Sequence, residues 1–350
     1  MIVNYPRMRR RRAAWPDDLD TALEFSSANP FSVSAPKNWD GKIEYTNGRG
    51  WKTWDGSTIA SGEIDNNHCI YLRGTGNSKI TGADSSNAKW NIIGTNISCN
   101  GDIDLLLDYA AAKSGNYPAM GSYCYSSMFR DCTSLTTAPS LPATTLANNC
   151  YSYMFQGCTS LTTAPSLPAT TLATSCYNSM FRGCTSLTTA PSLPATTLAT
   201  SCYSSMFQGC TSLTTAPSLP ATTLATSCYS YMFRGCTSLA TAPSLPATTL
   251  ESFCYYYMFR DCTSLATAPS LPATTLASNC YSYMFQGCKK IKLSSTASGT
   301  YTKLYRIPKS GTGTTGRNSM SNMFANTGGT FKGTPEINTT YYLDKSNTIV

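Results

Sequence analysis

From Cys124 onward the apolar residues recur in a single order. A Cys is followed by Met-Phe four and five positions later, by a second Cys after eight, and then by Leu135, Ala138, Leu141 and Leu146 before the pattern restarts. New copies begin at Cys150, Cys176, Cys202, Cys228, Cys254 and Cys280, a period of 26 residues held without a slip over seven copies. A fixed period of roughly 20 to 50 residues marks supersecondary units that bury their apolar sides only against one another. The pattern therefore predicts a repeat solenoid.

Within one unit, Cys124, Met128, Phe129 and Cys132 share the spacing of one face of a short helix, which is expected to point inward. Leu135, Leu141 and Leu146 then mark an extended leg and a return leg. Pro139 and Pro142 set the corners and confine regular strand to about 134–138. Copies of that leg would stack about 4.7–4.9 Å apart as a narrow parallel sheet. The expected repeat core is thus Cys124, Met128, Phe129, Cys132, Leu135, Leu141 and Leu146, with equivalents in every copy. The positions that vary, Ser126, Ser127, Arg130 and Asp131 in the first copy, fall on the presumed outer face of the helix.

The order Met128-Phe129, Cys132, Leu135, Leu141-Pro142 resembles the BspA-like leucine-rich repeats of surface proteins of gut and oral bacteria and of their phages. This unit carries an additional proline at 139, which makes its sheet face less regular. The resemblance implies a leucine-rich-repeat-like solenoid, with a short helix and a short parallel strand per turn, and a structural or adhesive role.

Outside the repeats, short alternating runs such as FSVSAP, KIEYTN, HCIYLRG and WNIIGTNISC, separated by Gly, Asn and Asp, predict a small β-rich domain. Its WKTWDGSTI and IYLRGTGNSKITG segments are similar to the β-module that precedes such repeats in other surface and phage proteins. GDIDLLLDYAAAKSG closes it as a capping helix, started by Asp102 and Asp104 and ended by Gly115. After Cys288 the pattern dissolves, then returns in part as SNMFANTGGTF, where Met323 and Phe324 echo the Met-Phe pair of a C-terminal cap. The expected divisions are an arm over 1–16, the β-rich domain over 17–121, the solenoid over 122–305 and the cap over 306–350.

Charged residues make up only 13% of the chain, so its surface is dominated by hydroxyls and aromatic rings. The net charge of +8 owes five of its positive charges to Arg7, Arg9, Arg10, Arg11 and Arg12, which makes the basicity a property of the arm. The arm is short, is followed by Asp17, Asp18 and Asp20, and belongs to no nucleic-acid-binding motif. A docking role onto an acidic protein surface fits it, with Trp15 as a further anchor, and no nucleic acid is expected as a partner. No apolar run has the length of a membrane span and no signal peptide is recognisable, so neither membrane insertion nor ordinary secretion is expected.

Fourteen of the sixteen cysteines occupy two fixed positions of the repeat. Their spacing matches no zinc site and His68 is the sole histidine, so no metal or cofactor is expected. Buried thiols suit these positions, with a disulfide ladder between turns as the alternative. Carboxylates are nearly absent from the repeats and no catalytic constellation recurs. Asp17, Asp18, Asp20, Glu24 and Asp40 of the N-terminal region read as turn and arm residues, so no enzyme is expected. Thr144, Thr145, Thr170, Thr171 and their copies read as solvated hydroxyls on tight turns. Tyr153, Tyr231, Tyr256, Tyr257 and Tyr283, with Arg130, Arg182, Arg234 and Arg260, mark the candidate ligand face.

These features lead to the expectation of a phage virion protein, a head or tail fibre or a capsid decoration. It would be anchored to capsid or tail proteins through its N-terminus and would present the solenoid to host-surface or mucus glycans. A bacterial cell-surface adhesin and a purely architectural spacer are the alternatives.

Overall fold

Each copy opens with a run of tight turns, not with the short helix that its spacing predicts. The computed structural model describes residues 15–83 and 88–350. In the first copy Tyr123, Ser127 and Asp131 have φ of 62°, 59° and 58°, and Asn149, Tyr153 and Gly157 repeat this left-handed conformation in the second. A left-handed residue at every fourth position breaks an α-helix each turn. The inward spacing survives, because Cys124, Met128, Phe129 and Cys132 are all buried.

The backbone hydrogen bonds explain how such a segment is stable. Alternate N–H groups close local turns: Ser126 to Tyr123 O, Met128 to Tyr125 O and Cys132 to Phe129 O, at 3.0–3.2 Å. The intervening ones cross to the next copy: Tyr125 to Cys150 O, Ser127 to Ser152 O and Phe129 to Met154 O, at 2.8–2.9 Å. Along this segment every crossing N–H points toward the C-terminal neighbour and every accepting carbonyl toward the N-terminal one. Because the copies match in length, each orphaned group finds its counterpart one repeat away.

Like side chains consequently form columns. Phe129, Phe155, Phe181, Phe207, Phe233, Phe259, Phe285 and Phe324 stack with centroids 5.4–5.8 Å apart. A second column runs from Tyr125 to Tyr281 at 5.6–5.9 Å, every ring buried. Each such pair adds about 0.5–1.5 kcal/mol to the burial itself. Leu135 and Leu141 are buried as expected, whereas Leu146 is only partly so and its equivalents sink into the core from Leu224 onward.

The extended legs are reduced to short parallel contacts. Leu135–Thr137 pairs with Ile97–Asn100 of the N-terminal region, and isolated parallel bridges link Thr163 to Thr189, Thr189 to Thr215 and Thr215 to Thr241. The return leg is joined by bridges such as Thr145 to Thr171 and Thr223 to Thr249. Prolines at the corners keep these strands short.

The N-terminal region is β-rich. Leu23–Ser27 lies between Asn67–Thr75 and Ile97–Asn100, and Lys42–Thr46 extends the sheet beyond Asn67–Thr75. A second, three-stranded sheet joins Ser32–Ser34, Ile59–Ala60 and Asn91–Ile93. Trp39, Trp54 and Trp90 pack in sequence, and Trp90 and Phe25 reach Phe129, so one core runs from this region into the repeats.

The single capping helix expected over GDIDLLLDYAAAKSG is split into a 3-10 turn, Ile103–Leu106, and an α-helix, Tyr109–Lys113. Asp108 interrupts it by turning its carboxylate to Ala111 N as a new N-cap. Backbone donors satisfy the outermost carbonyls of the first copy: Ile80 and Thr81 to Cys124 O, Trp90 to Met128 O, Ile97 to Ser134 O and Ile103 to Ser140 O.

At the other end, residues 318–326 form an eighth turn. It receives Tyr281 N–H on Ser319 O, Tyr283 N–H on Ser321 O and Phe285 N–H on Met323 O, with Asn318, Asn322 and Asn326 at positive φ. The Met323-Phe324 echo thus occupies the place of a repeat. Beyond it, Phe324 N–H reaches Gly333 O and Asn322 N–H reaches Thr334 Oγ1. Tyr301–Arg306 and Thr340–Asp344 form a three-stranded sheet with Leu293–Ser294, and the C-terminal Thr348–Ile349 pairs with Thr267–Ala268.

Candidate aromatic surface site

Because the copies are nearly identical, the places where one departs from the rest stand out. Glu251 replaces an Ala found at 147, 173, 199, 225 and 277, Phe253 a Ser or Asn found in the copies from the second onward, and Tyr256 a Ser or Asn found in all the others. All three fall in or just ahead of the sixth copy, and all are at least partly exposed.

The structure gathers these departures with the neighbouring tyrosines. Tyr231, Tyr257 and Tyr283 stack at 5.0 and 4.5 Å with planes within 5°. Tyr256 stands perpendicular to all three at 5.4, 4.3 and 6.0 Å, and Phe253 meets Tyr256 edge-on at 5.3 Å. Arg234 lies 5.8 Å above the Tyr231 ring and Arg260 5.0 Å above that of Tyr257. The Nε of Arg260 is 3.2 Å from Asp261, whereas Arg234 has no ion-pair partner among the described residues.

This geometry changes which rings can meet a ligand. The three stacked tyrosines cover one another's faces and offer mainly edges, so the apolar ring surface left to a partner is that of Tyr256 and of Phe253, 37% exposed. Burial and the neighbouring phenols raise the hydroxyls of Tyr231, Tyr256 and Tyr257, the last to about 12, so the cluster is neutral apart from its arginines and carboxylates.

Other candidate residues lie elsewhere. Tyr153 belongs to the second copy, three repeats before Tyr231 in the same column. Arg130 pairs with Asp131 at 3.7 Å, and Arg182 is exposed in the third copy. Of the residues expected on the ligand face, those of the fifth to seventh copies are thus brought together, and Tyr153, Arg130 and Arg182 stand apart from them. Arg7 and Arg9 to Arg12 lie outside the described residues. Trp15 packs edge-on against the chain's own Tyr71 at 5.7 Å.

The N-terminal carboxylates are held in local bonds. Asp18 accepts from Trp51 and pairs with Arg73 at 2.5 Å; the Arg73 guanidinium is itself sandwiched between Trp51 and Tyr109 at 3.9 and 4.4 Å. Asp20 pairs with Lys113, and Asp40 accepts from Ser78. Glu24 accepts from Tyr71 and Asn100 in the wall of an open cleft of about 490 Å³. Among the described residues no group of three or more His, Cys, Asp or Glu is placed to hold a metal.

All sixteen cysteines are free and buried. Thiols of the second column donate to the Phe carbonyl one copy back, as Cys184 to Phe155 O and Cys236 to Phe207 O at 3.1 Å. Burial pushes Cys184 and Cys262 up to about 12.

Two features escaped the sequence reading. The Tyr125 column is core, not surface, and its invariance across seven copies beside variable neighbours was the signal. At its N-terminal end the Tyr125 hydroxyl donates to Asp104 at 2.8 Å, whose buried carboxyl is raised to about 7, chiefly by desolvation.

The arrangement defines a protein of stacked, near-identical repeats with a continuous aromatic core and an aromatic surface cluster over the fifth to seventh copies. A family model, the BspA type leucine rich repeat region of six copies, matches residues 112–240 and 174–306. The chain belongs to this BspA-type leucine-rich-repeat family. Searches of curated proteins and of solved structures found no match. Among the described residues no helix is long and apolar enough to cross a membrane.

Proposed function

We propose that the chain is a non-enzymatic structural and adhesive protein: a repeat solenoid displaying a ligand surface. The observation that carries this reading is the concentration of exposed departures, Glu251, Phe253 and Tyr256, at one place in an array whose interior hardly varies. Core packing does not call for an aromatic at an exposed position, whereas recognition does. Membership of the family is consistent with a surface adhesin or a structural repeat protein.

The more specific reading is a virion component, a head or tail fibre or a capsid decoration, held by Arg7 and Arg9 to Arg12 against capsid or tail proteins. It rests on the density of positive charge at Arg7 and Arg9 to Arg12. Mass spectrometry of purified particles and of cell envelopes tests it. Recovery on particles in fixed stoichiometry, lost when residues 1–14 are deleted, supports the virion reading. Recovery in envelopes alone overturns it in favour of a bacterial surface adhesin.

A further inference from the structure

Within the aromatic cluster one cation is left uncommitted. Arg260 is engaged by Asp261, but the copy containing Arg234 has Gly235 at the corresponding position, so no carboxylate accompanies that guanidinium. Arginines alternate with glutamine along this column, at Arg130, Gln156, Arg182 and Gln208, until Arg234 and Arg260 occupy successive copies. The doubled arginine coincides with the aromatic departures.

The chemistry of the patch is therefore specific in kind. It combines a ring, Tyr256, braced perpendicular to three others, an exposed Phe253, and an unpaired guanidinium on the ring of Tyr231, which itself touches Tyr256 at 5.4 Å. A pyranose laid on the Tyr256 ring presents its apolar C–H face to the aromatic, and a carboxylate on that sugar finds in Arg234 a planar two-pronged donor. Asp261, paired with Arg260, and Glu251, two residues before Phe253 in the chain, add negative charge that disfavours densely charged polyanions. We infer that the patch formed by Phe253, Tyr256, Tyr231 and Arg234 binds carboxylated sugars, uronic or sialic acid units, with Arg234 as the carboxylate ligand. This inference rests on the adhesive reading above and names its ligand class.

The test measures binding of the full chain to trigalacturonate, sialyllactose and neutral lactose by calorimetry or biolayer interferometry. Arg234→Gln and Tyr256→Ser are compared, each importing the residue that other copies carry at the same position, with Arg182→Gln as the control outside the cluster. The expected result is binding of at least one carboxylated sugar over lactose, weakened roughly tenfold or more by Arg234→Gln and by Tyr256→Ser and unchanged by Arg182→Gln. Lactose bound as well as the acidic sugars, with Arg234→Gln silent, overturns the ligand class and leaves the adhesive reading intact. If no sugar binds while the chain still attaches to cells or mucus, the inference falls alone. If neither sugar nor surface is bound, both fall.

Discussion

The Sγ of Cys158 donates to the carbonyl oxygen of Phe129 at 3.0 Å, and the same oxygen accepts the N–H of Cys132 at 3.0 Å. One carbonyl thus holds a local turn and a neighbouring repeat together, which is why a small apolar residue with a weak donor recurs there. Replacing one such cysteine, Cys210→Ala, removes the contact and leaves a small void. We expect a loss of about 1–2 kcal/mol in denaturant unfolding.

The same burial makes the thiols inert. With Cys184 and Cys262 raised to about 12 by desolvation, thiolate is scarce near neutrality. A chromogenic disulfide reagent at pH 8 is expected to label almost nothing in the native chain and all sixteen cysteines once it is unfolded. Substoichiometric labelling after unfolding under non-reducing conditions would reveal disulfides instead.

Asp104 couples stability to pH. Its carboxyl titrates near 7 when folded against an ordinary value of 3.8, so between these values the folded chain retains a proton that the unfolded chain releases. The stabilisation is complete below pH 4 and is lost as pH rises through 7. Asp104→Asn keeps an acceptor for Tyr125 and removes the titration. It is expected to flatten the profile across that window and to stabilise the chain at pH 8 by on the order of 2 kcal/mol, measured by thermal unfolding.

Gly157 and Gly183 separate two costs that are usually mixed. Both have φ near 74°, but a Cβ on Gly157 would lie 2.5 Å from the Asp131 carboxylate, whereas one on Gly183 meets only the backbone of Gly157, at 3.9 Å. Gly183→Ala should cost about 1 kcal/mol for its backbone alone. Gly157→Ala should cost roughly 1 kcal/mol more. Adding Asp131→Gly should abolish the excess, a coupling that a double-mutant cycle reads directly.

Excision of whole repeats is expected to be tolerated. Deleting residues 176–201, one period, joins the second copy to the fourth with every column in register. The shortened chain should unfold cooperatively with stability reduced by one repeat and its interface. Deleting half a period should abolish folding, as circular dichroism and proteolysis would report.

How far the sequence could be read follows from what each level of structure depends on. The period, the inward set from Cys124 to Leu141 and the Met323-Phe324 echo were legible because burial is written in the apolar pattern. The helix was not, because a four-residue left-handed rhythm places the same side chains inward as a helix does. The clue lay in residues that tolerate positive φ, the Gly157 series and the later Asn318, Asn322 and Asn326, at four-residue spacing. The aromatic cluster was half legible: the tyrosines were visible, but that three of them hide one another's faces depends on stacking distance, which no pattern encodes.

The one-way crossing of hydrogen bonds gives the array a head and a tail. A bare block of repeats would offer only carbonyls along this segment at one end and only N–H groups at the other, two surfaces that fit each other. Such ends add without closure, so an uncapped block is a monomer for a filament. Ile80, Thr81 and Trp90 at one end and the turn at 318–326 with Gly333 at the other therefore do more than finish the core. They are chain terminators that keep a self-complementary module from polymerising.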